Sequence, residues 1–124
     1  MKIEVSNGEI FDKLSILEVK CNKLKDPKKL AYVTDEFNYL QGLVSEIEFS
    51  LESETYRRLR EVNYRLWDIE DAIRLKESDN DFGAGFIELA RSVYILNDER
   101  FRLKNQINIK TKSQFHEQKS HRNT

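Results

Sequence analysis

Residues 6–24 read SNGEIFDKLSILEVKCNKL, and this stretch decides the class of fold. Ser6 followed three residues later by Glu9 is a capping box, in which the serine side chain accepts a hydrogen bond from a free helix N–H and the glutamate reaches back to the serine amide. The apolar residues that follow alternate in steps of four and three, which places them on one face of an α-helix. They are Ile10, Leu14, Leu17, Cys21 and Leu24. The stretch therefore predicts an amphipathic helix from about Asn7 to about Lys25.

The same periodicity predicts three further helices. Asp26-Pro27 begins the next one, because aspartate can cap a helix and proline is tolerated at the first helical position. Ser53 caps another. The predicted helical ranges are 27–51, 53–77 and 84–108, with a polar, glycine-rich loop at 78–85. Their apolar stripes consist of Leu30, Val33, Phe37, Leu40, Val44, Ile47 and Leu51; of Leu59, Leu66 and Ile73; and of Leu89, Val93, Leu96, Leu103 and Ile107. We expect an all-α protein, an antiparallel bundle of about four helices built as two helical hairpins.

The length and the distribution of polar residues predict one domain followed by a tail. A chain of 124 residues is the size of a single domain. We place the helical-bundle domain at residues 1–109 and a polar, basic tail at 110–124, where Phe115 is the only large apolar residue. Residues 2–5 alternate polar and apolar side chains, which predicts a short strand that needs a partner strand. Cys21 is the only cysteine, and we assign it to the core.

The charge balance excludes several classes of partner. Lysine and arginine number 21 against 22 aspartates and glutamates, so no general positive field attracts nucleic acid or anionic lipid. Arg57, Arg58 and Arg60 are spread around their helix and mixed with glutamates, which argues against a nucleic-acid surface. No apolar stretch has the length of a signal peptide or a membrane span, so we expect a cytoplasmic protein without a membrane partner.

Polar residues fall on the apolar faces of the third and fourth helices. Helical spacing places three of them in the arc of Leu59 and Leu66, with a tryptophan at its edge, and two more within the stripe of the fourth helix. In an antiparallel hairpin Asn63 then faces Arg100, and Trp67 faces Asn97. On the first helix Glu18 borders the core, whereas we assign Asp12 and Lys13 to the solvated face. The candidate ligand-binding residues are therefore Glu18, Asn63, Trp67, Glu70, Arg74, Asn97 and Arg100.

Two explanations of these polar residues are open. They form either a satisfied polar network that sets the register of the bundle, in which Glu70 pairs with Arg74 one helical turn away, or a cleft in which arginines bind an anionic ligand. No catalytic residue can be assigned, and neither a metal site nor a cofactor motif is present in the sequence.

Several motifs resemble a known family. Residues 8–18 (GEIFDKLSILE) are similar to the opening of domain of unknown function family 6165, an uncharacterised bacterial and phage family. Residues 63–74, which include LWDIED, resemble its second signature, and residues 86–100, which end in NDER, resemble its third. Residues 117–120 (EQKS) resemble its closing motif, although His121 stands where a tyrosine is expected. The resemblance implies no established activity.

Two classes of function follow from the sequence. The first is a homo-oligomeric binding or assembly protein, a homodimer with coiled-coil-like helix packing and a polar cleft for a phosphorylated or nucleotide-sugar ligand. Four aromatic residues outside the main stripes could form the dimer surface: Phe11, Tyr64, Tyr94 and Phe101. The alternative is a helical-bundle enzyme that acts on a nucleotide or a phosphorylated sugar and uses magnesium.

Overall fold

A computed structural model describes residues 1–112 and contains four α-helices. They are α1 (Asn7–Lys23), α2 (Pro27–Val44), α3 (Glu54–Ser78) and α4 (Ala84–Lys110). The predicted all-α bundle of two hairpins is confirmed, since short connections join α1 to α2 and α3 to α4. Residues 1–6 are not a strand, so the prediction of a strand at 2–5 was wrong. A strand needs a neighbouring strand for its backbone hydrogen bonds, and residues 1–112 contain no strand that could pair with this segment.

Side-chain caps set the starts of three helices. Ser6 Oγ accepts from the backbone N–H of Glu9 at 3.2 Å, as the capping box predicted. The Glu9 carboxylate instead lies 2.7 Å from Lys104 Nζ on α4, because a charged partner is within its reach. Asp26 and Ser53 cap α2 and α3 with their side-chain oxygens. These starts are therefore local properties of the sequence.

The end of α2 differs from the prediction. The helix stops at Val44 and does not continue to Leu51. At this end the hydroxyl of Ser45 donates at 2.6 Å to the backbone carbonyl of Gly42, a local bond that also occurs in the middle of α1, where Ser15 donates to Asp12 and the helix continues. The chain then turns and packs the ring of Phe49 edge-on against Phe11, with ring centroids 5.0 Å apart. Because α2 ends at Val44, the chain can turn and place the ring of Phe49 in the core. If the helix continued, Phe49 would not reach Phe11.

The core lies where α1, α3 and α4 pack against one another, and α2 packs along α1 on the outside. Phe11 is 0% exposed at the centre of this core. The expectation that Phe11 belongs to a second, dimer-forming apolar face was therefore wrong. The buried core residues are Phe11, Leu14, Val44, Tyr56, Leu59, Val62, Leu66, Leu96, Leu103 and Ile107.

The central helix α1 is shorter than α3 and α4. Its C-terminal end lies beside the middle of α3, where Lys23 Nζ contacts the carboxylate of Asp68 at 2.7 Å. The α3–α4 hairpin continues past this point, and large apolar side chains remain exposed on that extension. They are Leu75, Phe82, Ile87, Tyr94 and Ile95.

Two further expectations concern the boundary between the domain and the tail, and the absence of a membrane-spanning helix. The helix α4 runs to Lys110, one residue past the boundary predicted for the domain, and residues 113–124 of the predicted tail lie outside the described residues. In the described part of the chain, no helix is both long enough and apolar enough to cross a membrane.

Candidate functional site

A buried carboxylate on α1 is the centre of the polar network. Asp12 is only 1% exposed, although the sequence pattern had assigned it to the solvated face. Arg100 on α4 donates to both of its oxygens, from Nε at 2.8 Å and from Nη2 at 2.5 Å. This two-point geometry is the strongest form of arginine–carboxylate pairing. The buried carboxylate that pairs with Arg100 therefore comes from α1.

Two uncharged side chains complete the network. Asn63 Nδ2 on α3 donates to a carboxylate oxygen of Asp12 at 3.0 Å and to Ser15 Oγ at 2.7 Å. The Ser15 hydroxyl in turn donates to the backbone carbonyl of Asp12 at 2.7 Å. Among residues 1–112, every buried side-chain nitrogen and oxygen has a hydrogen-bond partner. The network therefore joins α1, α3 and α4 in one register, and the cost of burying the ion pair is offset by complete hydrogen bonding.

A cleft of about 230 Å³ opens beside this network where the same three helices meet. Arg100 forms part of its wall, since its side chain is 28% exposed. Its Nη1 lies 3.5 Å from the side-chain oxygen of Asn97. The cleft is lined by Ile16, Val19, Asn63, Leu66, Trp67, Glu70, Asn97 and Arg100. The structure thus brings five of the seven candidate residues together, and their role in binding stays a prediction.

The other two candidate residues lie elsewhere. Glu18 projects from a different side of α1, 3.3 Å from Arg60 Nη1. It also lies close to the phenol of Tyr56, whose pKa is raised by burial first and by the negative charge of Glu18 second. Arg74 is exposed, and its guanidinium lies 3.6 Å from Asp71 rather than beside Glu70. Neither Glu18 nor Arg74 belongs to the cleft.

Sequence reasoning missed Asp12, but a signal for it exists. Gly8, Asp12, Ser15 and Val19 follow one another in steps of four, three and four, the spacing of a helical face, and all four are buried. This face is hard to recognise in the sequence because Asp12 and Ser15 are polar and Gly8 has no side chain. A helix that packs on both sides needs two such faces, and α1 contacts each of the other three helices.

The cleft does not carry the positive charge that the sequence predicted for it. Asp12 balances the charge of Arg100, Glu70 adds a carboxylate to the lining, and Arg74 is outside. The lining instead offers hydrogen-bond donors and acceptors beside an indole ring. As to metals, residues 1–112 contain no group of three His, Cys, Asp or Glu side chains that could hold an ion.

Comparison with known proteins identifies the family. A model described as a family of unknown function (DUF6165) matches residues 1–124. The chain belongs to this family. The match covers all the motifs on which the resemblance was noted, so that prediction is confirmed. No curated protein and no solved structure matches the chain.

Proposed function

We propose that this protein binds a small polar molecule in the cleft beside Trp67, and that the molecule is phosphorylated or nucleotide-linked. One observation carries the proposal: a buried carboxylate holds the guanidinium of Arg100 in a fixed orientation at the wall of an open cleft. A guanidinium held in this way has little side-chain entropy left to lose when a ligand accepts hydrogen bonds from the wall of the cleft.

The other lining groups suit a ligand with a ring and several hydroxyl or carbonyl groups. Trp67 offers an aromatic face on which a base or sugar ring can stack. Asn97 can both donate and accept, and the exposed carboxylate of Glu70 can accept from hydroxyl groups. Ile16 and Val19 exclude water from one side. This mixture of an apolar wall and a few polar groups is typical of small-molecule sites.

The same lining favours binding over the enzymatic alternative. Acid–base catalysis needs a proton-transferring group within hydrogen-bond reach of the substrate. Asp12 is buried and engaged with Arg100 and Asn63, which leaves Glu70 as the carboxylate of the cleft. A magnesium-dependent reaction of a nucleotide or phosphorylated sugar would require further oxygen ligands beside it.

Trp67 provides a direct test of the cleft, because it is the only tryptophan in the chain. We expect UDP-glucose to change the tryptophan fluorescence in a saturable manner, and Asn97→Ala to raise the dissociation constant about tenfold through the loss of a hydrogen bond. Asn38→Ala, which alters an exposed amide on α2, is the matched control. Equal affinity of the Asn97 and Asn38 variants would contradict the assignment of the cleft.

We also propose that the protein self-associates through the exposed part of α4. Ile87, Tyr94 and Ile95 are each more than half exposed on this helix, and apolar side chains of this size are commonly buried between subunits. We expect light scattering at high micromolar concentration to show a dimer, and Ile87→Glu to yield a monomer. Ile3→Glu is the control, since Ile3 is exposed outside the helices. A monomeric wild-type protein would contradict the proposal.

A further inference from the structure

A second groove, which Trp67 also lines, opens between the C-terminal end of α1, the first turns of α2 and the middle of α3. Its volume is about 470 Å³. Leu24, Tyr32 and Val33 give it an apolar floor, and the ring of Tyr32 is largely exposed. The complete lining is Lys20, Leu24, Lys28, Lys29, Tyr32, Val33, Glu36 and Trp67.

The charges of this groove are unbalanced. Lys20, Lys28 and Lys29 lie around the apolar floor, and none of the three is within ion-pair distance of a carboxylate in the described residues 1–112. Glu36, the acidic member of the lining, lies 3.5 Å from Lys13 Nζ. Three lysine ammonium groups beside an apolar surface give the groove a local positive charge, which a bound anion would balance.

Trp67 lines both the groove and the cleft. On the cleft side the Arg100 charge is balanced by Asp12, whereas on the groove side the lysine charges are not balanced. The cleft and the groove, which share Trp67, therefore suit two different parts of one ligand. The part with hydroxyl and amide groups fits the cleft, and the part with negative charge fits the groove.

We infer that the groove, which we call the lysine groove, binds the phosphate or diphosphate group of the ligand whose polar end occupies the cleft. This inference rests on the proposed function and assigns the ligand class more closely: a phosphorylated compound long enough to pass across Trp67. Lysine ammonium groups bind phosphate oxygens as mobile point charges, which fits a groove open to water. The affinity they contribute depends on ionic strength, because exposed charges are screened by salt.

Removing two of the three lysines tests the inference. We expect Lys28→Ala/Lys29→Ala to weaken the binding of UDP-glucose about tenfold or more at low ionic strength, while the binding of uridine, which has no phosphate, stays unchanged. Both lysines are exposed near the start of α2, so the fold should be retained, which circular dichroism and the melting temperature verify. Lys2→Ala/Lys112→Ala removes the same charge outside the groove and is the matched control.

The four outcomes separate the inference from the proposed function. Weaker UDP-glucose binding in both the lysine variant and Asn97→Ala supports the cleft and the lysine groove together. An effect of Asn97→Ala alone overturns the lysine groove and leaves the cleft. An effect of the lysine variant alone supports the groove and contradicts the cleft. Absence of an effect of either variant, or of any saturable fluorescence change with UDP-glucose, uridine and inorganic pyrophosphate, overturns both.

Discussion

Arg100→Ala is expected to lower the free energy of unfolding by about 3–5 kcal/mol, because it leaves the carboxylate of Asp12 buried without its charged partner. Asp12 is 1% exposed, and Asn63 alone cannot replace the two hydrogen bonds that the guanidinium donates. Urea denaturation measures the loss. The variant also removes side-chain volume from the junction of three helices, which adds to the cost.

Two further variants separate the ion pair from a general effect of losing an arginine. Arg74→Ala removes an exposed arginine 3.6 Å from Asp71, and we expect a loss of less than about 0.5 kcal/mol. Arg100→Leu combined with Asp12→Asn removes both charges and should be more stable than Arg100→Ala, since packed hydrocarbon can replace a buried ion pair. Equal stability of the Arg100 and Arg74 single variants would show that Asp12 does not depend on Arg100.

The expected loss of stability in Arg100→Ala concerns the two roles that the sequence left open for Arg100. The two roles are membership of a satisfied polar network and binding of an anionic ligand in a cleft. The structure makes the roles compatible, because one edge of the guanidinium pairs with Asp12 while the side chain forms part of the cleft wall. Asn97 is therefore the cleaner probe of binding.

The second large effect concerns Gly8, where α1 crosses α4. A methyl group at this position would overlap the backbone carbonyl of Lys104, and it would also touch the side-chain oxygen of Asn108. That oxygen accepts a hydrogen bond from the Gly8 N–H at 2.6 Å, so the two helices cannot separate without breaking it. We expect Gly8→Ala to destabilise the protein by about 1–3 kcal/mol, as overpacking against rigid backbone does.

Gly42→Ala is the matched control for this substitution. Gly42 is also helical, but an added methyl group would meet no atom within 4 Å. Alanine loses less backbone entropy on folding than glycine, so we expect Gly42→Ala to stabilise the protein by about 0.5–1 kcal/mol. The two alanine variants, compared by thermal unfolding, should thus change stability in opposite directions. A gain in both would mean that α1 can shift away from α4 at little cost.

The sequence predicted some residues of the cleft and its polar network, but not all of them. Asn63, Glu70 and Arg100 were found because they interrupt apolar stripes that are otherwise regular. Asp12 was missed because helical spacing tells which residues share a face, but not how many faces of a helix are covered. A charged residue outside the main stripe is by default assigned to solvent.

The sequence by itself determined the helices and most of their starts. Ser6, Asp26 and Ser53 cap from positions next to the helices that they begin, and apolar periodicity is a property of each helix alone. Only the tertiary structure decided the interior position of α1, and with it the burial of Asp12 and the early end of α2. The physical reason is that both depend on contacts between residues far apart in the chain, such as Asp12 with Arg100. Their free energy appears only when the helices pack, so no local pattern encodes it.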